Sequence, residues 1–313
     1  MALKPNEPIS VVVPVFQEGK NLPEFLAALQ AQTLLPNEII FVEAGSTDES
    51  PSLLKKWTKT CLPRGPAVQI LRNPGGFPGA NRNRGVEKSR HPWMAFLDVR
   101  TIPRPEWLET MKGLRSTGTE EAWLGKCRMD GDNAFAKAVC AVSYGCGTDH
   151  PTLPGSMFHR KVFETIGGFR EDLRSGEDID WLKKLRHSGL EIGCRDLALI
   201  RYEGFPRTGS GLRKKYLSYS RCGVRIGHHR AGYLFFALFF PFLAGLLLLQ
   251  PIWGLGLTFG YLLGRGVLDP ARRSRAWLWW RPFGSALFWA PWVAVQIDSI
   301  KAWAFFSTRR RAT

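Results

Sequence analysis

The sequence predicts an α/β fold, a mostly parallel, doubly wound sheet with helices on both faces, followed by apolar, membrane-associated helices. Three observations carry this expectation. Strand-like and helix-like segments alternate four times in the first hundred residues, the mark of right-handed βαβ units. The first strand, Ile9–Val15, is an almost unbroken β-branched run, as burial on both faces requires. Between residues 231 and 264 there is not one charged side chain, more than one span of about 20 residues needs. A chain of 313 residues can hold one large α/β domain, expected over 1–220, and an appendage, expected over 221–313.

In order, a Gln-Glu-Gly-Lys turn follows Ile9–Val15 and leads to Leu22, Phe25, Leu26 and Leu29 on one helical face. Glu38–Glu43 is the second strand. Gly45-Ser46-Thr47-Asp48 then offers turn and capping groups before a helix through Leu53, Leu54 and Trp57. Residues 67–71 form the third strand, a helix falls within 79–89, and the fourth strand, 93–98, ends on the carboxylate of Asp98. Past Arg100 the pattern loosens. Pro103, Pro105 and Trp107 open a helix, Ala122–Met129 is a strand, 131–144 mixes small and apolar residues, and 148–156 is a Pro/Gly-rich loop. A short helix over 161–166 stops at Gly167-Gly168. Another over 178–187 carries Ile179, Leu182 and Leu185 as a stripe and closes at Gly189.

Charge separates the two parts. The net formal charge is +16; residues 1–200 are nearly balanced, whereas 201–313 hold 17 Lys and Arg against 3 Asp and Glu. Cations that flank long apolar runs point to an anionic membrane surface rather than to nucleic acid. Gln250-Pro251 breaks the uncharged run, so a hairpin over about 231–264 is expected. The Arg-rich segment 265–281 lies on the cytoplasmic side by the positive-inside rule. A third apolar stretch, about 282–306, is dense in Trp and Phe with cations at both ends, which suits an interfacial or spanning helix. The alternative is a buried helical hairpin of a soluble protein. Residues 1–8 are polar and Pro-containing, which is not the pattern of a signal peptide, and the six cysteines show no zinc spacing, so free thiols in a reducing compartment are expected.

The chemistry-bearing residues cluster at strand ends. The first strand ends Pro14-Val15-Phe16-Gln17-Glu18; the second, Val42-Glu43-Ala44-Gly45-Ser46-Thr47-Asp48. The third leads to Gly75-Gly76-Phe77-Pro78-Gly79-Ala80-Asn81-Arg82-Asn83-Arg84-Gly85. The fourth ends Phe96-Leu97-Asp98-Val99-Arg100, with Pro105-Glu106-Trp107-Leu108 following. Gly167-Gly168-Phe169 and Gly176-Glu177-Asp178-Ile179-Asp180-Trp181 come later. Glycines at 75, 76 and 79 would let the backbone approach a phosphate or sugar, and Arg82 offers a planar donor fork. A plain Gly-rich loop is the other reading of that stretch. Glu18 would accept from a base or ribose hydroxyl, or serve as a helix N-terminal carboxylate. Asp178 would take a proton from an attacking hydroxyl, cap its own helix, or do both.

This ordered series, over about residues 8–205, resembles the family 2 glycosyltransferases of GT-A fold. The resemblance implies an inverting enzyme that moves one sugar from a nucleotide-sugar to an acceptor, with Asp178 as base and Glu177 beside it. It places Pro14, Phe16, Glu18, Glu43, Arg82, Asp98 and Arg100 around the nucleotide-sugar, and Asp98 on Mg²⁺ or Mn²⁺. Trp181 would line the acceptor side or pack in the core, and Arg221 and Arg225 would face the acceptor. Three departures matter. Ala44 stands where the family has an Asp, with Glu43 as substitute; Arg100 replaces the second acid of the D-x-D motif; and Glu203 is the acidic candidate where the family often has a His. Arg100 would bring the charge a metal normally brings, or point outward. The apolar helices imply a lipid or lipid-linked glycan acceptor, with the catalytic domain on the cytoplasmic side of the membrane. The alternatives are transfer to a polyprenyl phosphate and a degenerate, non-catalytic sugar-nucleotide-binding scaffold.

Overall fold

The computed structural model describes residues 7–60, 65–117, 119–194, 196–202 and 204–309. Cys61, Glu203, Arg310 and Arg311 lie outside the described residues. The first part alternates as the sequence implies: β1 (Ile9–Val15), α1 (Leu22–Gln30), β2 (Glu38–Glu43), α2 (Ser50–Thr60), β3 (Ala67–Arg72), α3 (Pro78–Lys88) and β4 (Trp93–Phe96). Then come β5 (Thr101–Pro103), α4 (Trp107–Thr117), β6 (Ala122–Met129), α5 (Ala134–Ser143), β7 (Thr148–His159), α6 (Arg160–Ile166), α7 (Glu177–Arg186), β8 (Ile192–Cys194) and β9 (Ile200–Tyr202). Helices follow: α8 (Gly209–Arg225), α9 (Arg230–Leu249), α10 (Pro251–Leu263), a π-helical turn (Gly264–Leu268), α11 (Asp269–Ser274) and α12 (Ala286–Arg309).

Two compact units result. One is Met1–Arg128 with Asp149–Tyr202; the other is Met129–Thr148 with Glu203–Thr313. The division falls after Tyr202, and α5 groups with the C-terminal helices.

The first unit is built on one sheet of order β3-β2-β1-β4-β7-β6-β9-β5, with β8 paired to β6. β1, β2, β3 and β4 pair in parallel, while β4–β7 and β5–β9 are antiparallel. The parallel half is the doubly wound part, and its order turns back between β1 and β4. Ligands of such sheets bind beyond the carboxyl ends of the strands at that switch point. Val11, Val12 and Val13 are fully buried in β1, as its composition requires. Against the sheet, Phe96, Phe158, Phe163, Phe169 and Trp181 form one aromatic cluster.

Two local expectations fail for identifiable reasons, and a third stretch gains a definite structure. β4 stops at Phe96, because the Asp98 N–H turns to Thr101 Oγ1 at 3.0 Å instead of continuing the ladder. The loop expected over 148–156 is strand β7. Its prolines withhold two donors, but its second half, from Leu153 onward, is buried and pairs with β4 at Met157, Phe158 and His159. The mixed stretch 131–144 holds helix α5, capped by the Asn133 side chain accepting from the Ala136 N–H at 2.9 Å.

The second unit is helical. α9 has 20 residues and a mean hydropathy of 2.2 over its most apolar window; it is the one helix among the described residues long and apolar enough to cross a membrane. At 1.5 Å per residue it spans about 30 Å. α10 packs against α9 but has 13 residues, too few to span alone. Phe235, Leu238 and Phe242 on α9, and Ile252, Trp253 and Phe259 on α10, are exposed.

Candidate active site

Two loops at the carboxyl ends of β1 and β2 brace each other. Gln17 sits at φ 56°, a left-handed conformation a non-glycine residue adopts only when held. It is held by Ser46 Oγ, which accepts the Gln17 N–H at 3.0 Å, and by Thr47 Oγ1, which accepts from the Gln17 side-chain amide at 2.9 Å. Ser50 Oγ accepts the Glu18 N–H and Asp48 Oδ2 the Gly19 N–H, at 2.9 and 2.8 Å. The Ser-Thr-Asp-x-Ser run is thus a backbone clamp. Burial pushes the Asp48 carboxyl up, but hydrogen bonds from Ser50 and Gly19 outweigh it and hold it below the ordinary range. Glu43 is buried at the end of β2, and its carboxylate accepts the N–H of Ser46. That bond shapes the loop beyond β2. Pro14 lies within β1, and Phe16, just beyond, is exposed.

The glycines after β3 serve the protein itself. A Cβ on Gly79 would meet the Arg170 carbonyl oxygen at 2.1 Å, and one on Gly76 would meet Asn73 and Asn81 at 2.2 and 2.6 Å. Only Gly75, at φ 77°, has open space beside it. Close approach to a phosphate is therefore not what Gly76 and Gly79 are for; they admit the 170 loop and an asparagine pair.

Arg82, buried in α3, is the hub. Its Nη2 donates to Asp98 Oδ1 at 2.7 Å and its Nη1 to Glu177 Oε1. Its Nε, and Glu177 Oε2, are buried without a hydrogen-bond partner among the described residues. Buried polar atoms are nearly always satisfied, so these two orphans side by side single out a candidate ligand site. Arg100 Nε donates to both oxygens of Glu18, at 2.9 and 3.0 Å, and Asn21 Nδ2 adds a bond to the same carboxylate at 2.6 Å. Both arginines assigned to phosphate from the sequence thus hold carboxylates. Neither points idly into solvent.

Glu177 and Asp178 open α7, whose N-cap Gly176 has φ 81°. Asp178 Oδ1 accepts the Ile179 N–H at 2.8 Å. Burial raises the Asp178 carboxyl above its ordinary range, Asp98 adds to the rise, and Arg82 opposes it. Burial likewise pushes Glu177 up to about 7, against Arg82 and with the like charge of Asp178. A carboxylate of raised proton affinity at a strand-end crevice suits a general base. Trp181 lies one turn on in the same helix. It is fully buried, stacks on Phe163 at 5.0 Å, and donates its Nε1–H to the Gly167 carbonyl at 2.9 Å. Trp181 thus packs in the core together with Leu182 and Leu185.

Asn83 is a positioning residue the sequence argument passed over. Its side chain accepts the Phe169 N–H at 2.8 Å and donates to the Phe169 carbonyl at 2.9 Å, tying the Gly-Gly-Phe segment to α3. The signal was present, since Asn83 stands one residue after Arg82 in the quoted motif. Arg221 and Arg225 lie on α8 in the second unit, with the Arg221 guanidinium 4.8 Å over the Trp303 ring.

Among the described residues no three His, Cys, Asp or Glu side chains converge as a metal site. Asp98 has one oxygen on Arg82, and Arg100 denies a second acid. The donor set fits only an ion that takes one carboxylate from the protein and the rest from diphosphate and water, an arrangement magnesium accepts.

Residues 10–136 match the family model described as glycosyl transferase family 2. The chain is 26% identical over 199 residues to the glycosyltransferase AglE of Haloferax volcanii, covering 59% of this chain and 63% of that one. It is 23% identical over 216 residues to the O-antigen chain rhamnosyltransferase WbaN of Salmonella anatum, covering 62% and 65%. It thus spans less than two thirds of either relative. Among solved structures, it resembles the mannosyltransferase PcManGT of Pyrobaculum calidifontis, determined with GDP-Man and Mn²⁺. The TM-score is 0.55 at 14% identity, over 97% of this chain and 87% of that one.

Proposed function

Because the chain belongs to the family 2 glycosyltransferases, we propose that it moves a single sugar from a nucleotide-sugar to a lipid or lipid-linked glycan acceptor. Transfer takes place at the cytoplasmic face of a membrane and inverts the anomeric carbon. The observation that carries this reading is the Arg82 bridge. One buried guanidinium joins the carboxylate beyond β4 to the first turn of α7, so the leaving-group end and the base end of a transfer reaction share one support.

Asp178 takes the acceptor hydroxyl's proton as that oxygen attacks the anomeric carbon. The bond from this carbon to the diphosphate breaks on the opposite side, and the nucleoside diphosphate departs with the electron pair. Arg82 and Arg100 suit the diphosphate by their planar forks. Both are held by carboxylates beforehand, so the donor exchanges partners with them. Asp98 would hold Mg²⁺ or Mn²⁺ jointly with the diphosphate, and such an ion neutralises charge on the leaving group. The relatives' names, a rhamnosyltransferase and a mannosyltransferase seen with GDP-Man, support a nucleotide-sugar donor. The length and hydropathy of α9 support attachment to a membrane.

The test is a screen of nucleotide-sugars with membranes, followed by mass spectrometry of new glycolipids, using the wild type and Asp178→Asn. The variant is expected to lose roughly 10²–10⁴-fold in turnover while keeping donor binding. Undiminished turnover by a folded Asp178→Asn protein would sink the assignment. Excess EDTA, applied in the same assay, is expected to lower transfer if the diphosphate is held through Asp98 and an ion, and to spare it if Arg82 and Arg100 suffice.

A further inference from the structure

The second unit contains a charged cavity that the transfer chemistry does not use. It has a volume of about 440 Å³ and is lined by Phe236, Tyr261, Arg265, Asp269, Arg273 and Lys301. That is room for on the order of ten waters. Two carboxylates organise it. Asp298, fully buried in α12, accepts from Arg265 Nε at 2.9 Å, Lys301 Nζ at 2.9 Å and the Tyr261 hydroxyl at 3.1 Å. Asp269, at the start of α11, accepts from Arg265, from Arg272 Nη2 at 2.7 Å and from Arg273 Nε at 2.7 Å. The three cations that line the cavity, Arg265, Arg273 and Lys301, thus stand against two carboxylates, an excess of one positive charge, with Arg272 adding a fourth cation at the exposed rim.

The cations also have donors to spare. Among the described residues Lys301 has one hydrogen-bond partner for its three N–H groups, and it stands 5.2 Å over the Phe236 ring. Arg273 spends Nε on Asp269 and Nη1 on the Ser143 carbonyl at 3.0 Å, which among the described residues leaves Nη2. The backbone is shaped to bring them together. The π-helical turn carries Arg265, and Gly266 within it lets the chain press on Pro291 of α12, where a Cβ would lie 2.6 Å from the proline. π-Helical turns are rare and concentrate at functional sites.

We propose that this cavity binds the phosphate head of an anionic lipid, with the lipid's apolar chain lying along α9 and α10. The excess of positive charge demands an anion, and a phosphate monoester carries nearly two charges at neutral pH. Phe236 lines the cavity, and both helices beside it expose large apolar side chains, Leu238 and Phe242 on α9 and Ile252 and Phe259 on α10. Basic pockets between apolar helices hold lipid head groups for this reason. The proposal concerns the helical unit and does not depend on the chemistry at Asp178.

The test measures lipid retention by the full chain in neutral detergent, by native mass spectrometry without any donor sugar. Phosphatidic acid, phosphatidylglycerol and phosphatidylcholine of identical acyl chains are compared. Phosphatidic acid is expected to be retained best and phosphatidylcholine least. Arg273→Gln and Lys301→Gln should each weaken phosphatidic acid retention roughly fivefold, with helical circular dichroism unchanged. Arg273→Gln stands as the second variant if Lys301→Gln fails to fold. Inorganic phosphate is expected to compete only at concentrations far above those of the lipid. Equal retention of the three lipids, or undiminished retention by the folded variants, would overturn the proposal; so would full displacement by equimolar inorganic phosphate, which would leave a site for the free ion.

Discussion

Arg82 holds two carboxylates that the chain supplies from distant places, Asp98 16 residues on and Glu177 95 residues on. Removing the guanidinium leaves Glu177 buried without its counter-charge. Arg82→Met should therefore cost stability on the order of 3–5 kcal/mol, read as a drop in melting temperature, as well as abolish transfer. Glu177 makes a separate prediction with a definite sign. Its carboxyl is raised from 4.5 to about 7 in the folded protein, so the native state binds the extra proton between those values. Stability from this group is present below about 4.5 and declines as pH rises toward 7. Glu177→Gln should flatten that part of a melting temperature against pH plot; an unchanged slope would argue that another group titrates there. Trp181 belongs to this scale too. Trp181→Ala should destabilise by about 3–5 kcal/mol through the cavity it leaves, and in the fraction that folds the Michaelis constant for acceptor should stay near the wild-type value.

At the scale of elements, β2 begins on a buried charge. Glu38 accepts from Ser10 of β1 at 2.7 Å, Gln69 of β3 at 2.7 Å and Arg90 at 2.7 Å, stitching three parallel strands at their amino ends. Burial opposes its ionisation, but these bonds outweigh it and hold the carboxyl below its usual range. Its stabilisation is present above about 4.5 and fades as pH falls, the opposite course to Glu177. Glu38→Gln should remove part of the acid-side loss in a urea titration at low pH, at a cost near 1–2 kcal/mol at neutrality. The same scale explains what could be read from the chain. The four βα repeats and α9 were legible because their signals are local: β-branched runs, helical spacing, absence of charge. β7 was not, since Pro151, Pro154 and Gly155 look like a loop until the partner strand, some sixty residues earlier, is in place. The residues of the candidate site were legible by type, whereas their partners were not. No spacing says that Arg82 meets Glu177, or that Gly79 makes room for a backbone carbonyl.

Over the whole chain, charge and apolar surface are concentrated together. Net positive charge gathers in residues 201–313, and α9 and α10 of that part expose Phe242, Leu248, Ile252 and Trp253. A soluble protein rarely leaves such side chains in water. Partition into vesicles is expected to be strong, stronger with anionic lipid, and weaker at high salt, since the screening length shortens. Leu238→Arg, on the exposed side of α9, should weaken partition by about 2–3 kcal/mol, measured by flotation. Equal flotation of this variant would mean that α9 does not enter the lipid.

The Arg82 bridge carries one more consequence, and it is calorimetric. When a nucleoside diphosphate draws Arg82 toward itself, Glu177 loses part of its compensating charge and gains a negative neighbour. Both changes increase its affinity for protons. Donor binding near neutral pH should then be accompanied by net proton uptake, seen as a binding enthalpy that varies with the ionisation heat of the buffer. In Arg82→Lys, whose compact ammonium cannot span both carboxylates, the uptake should shrink. Donor occupancy would thus be read out as protonation of Glu177, before any acceptor arrives.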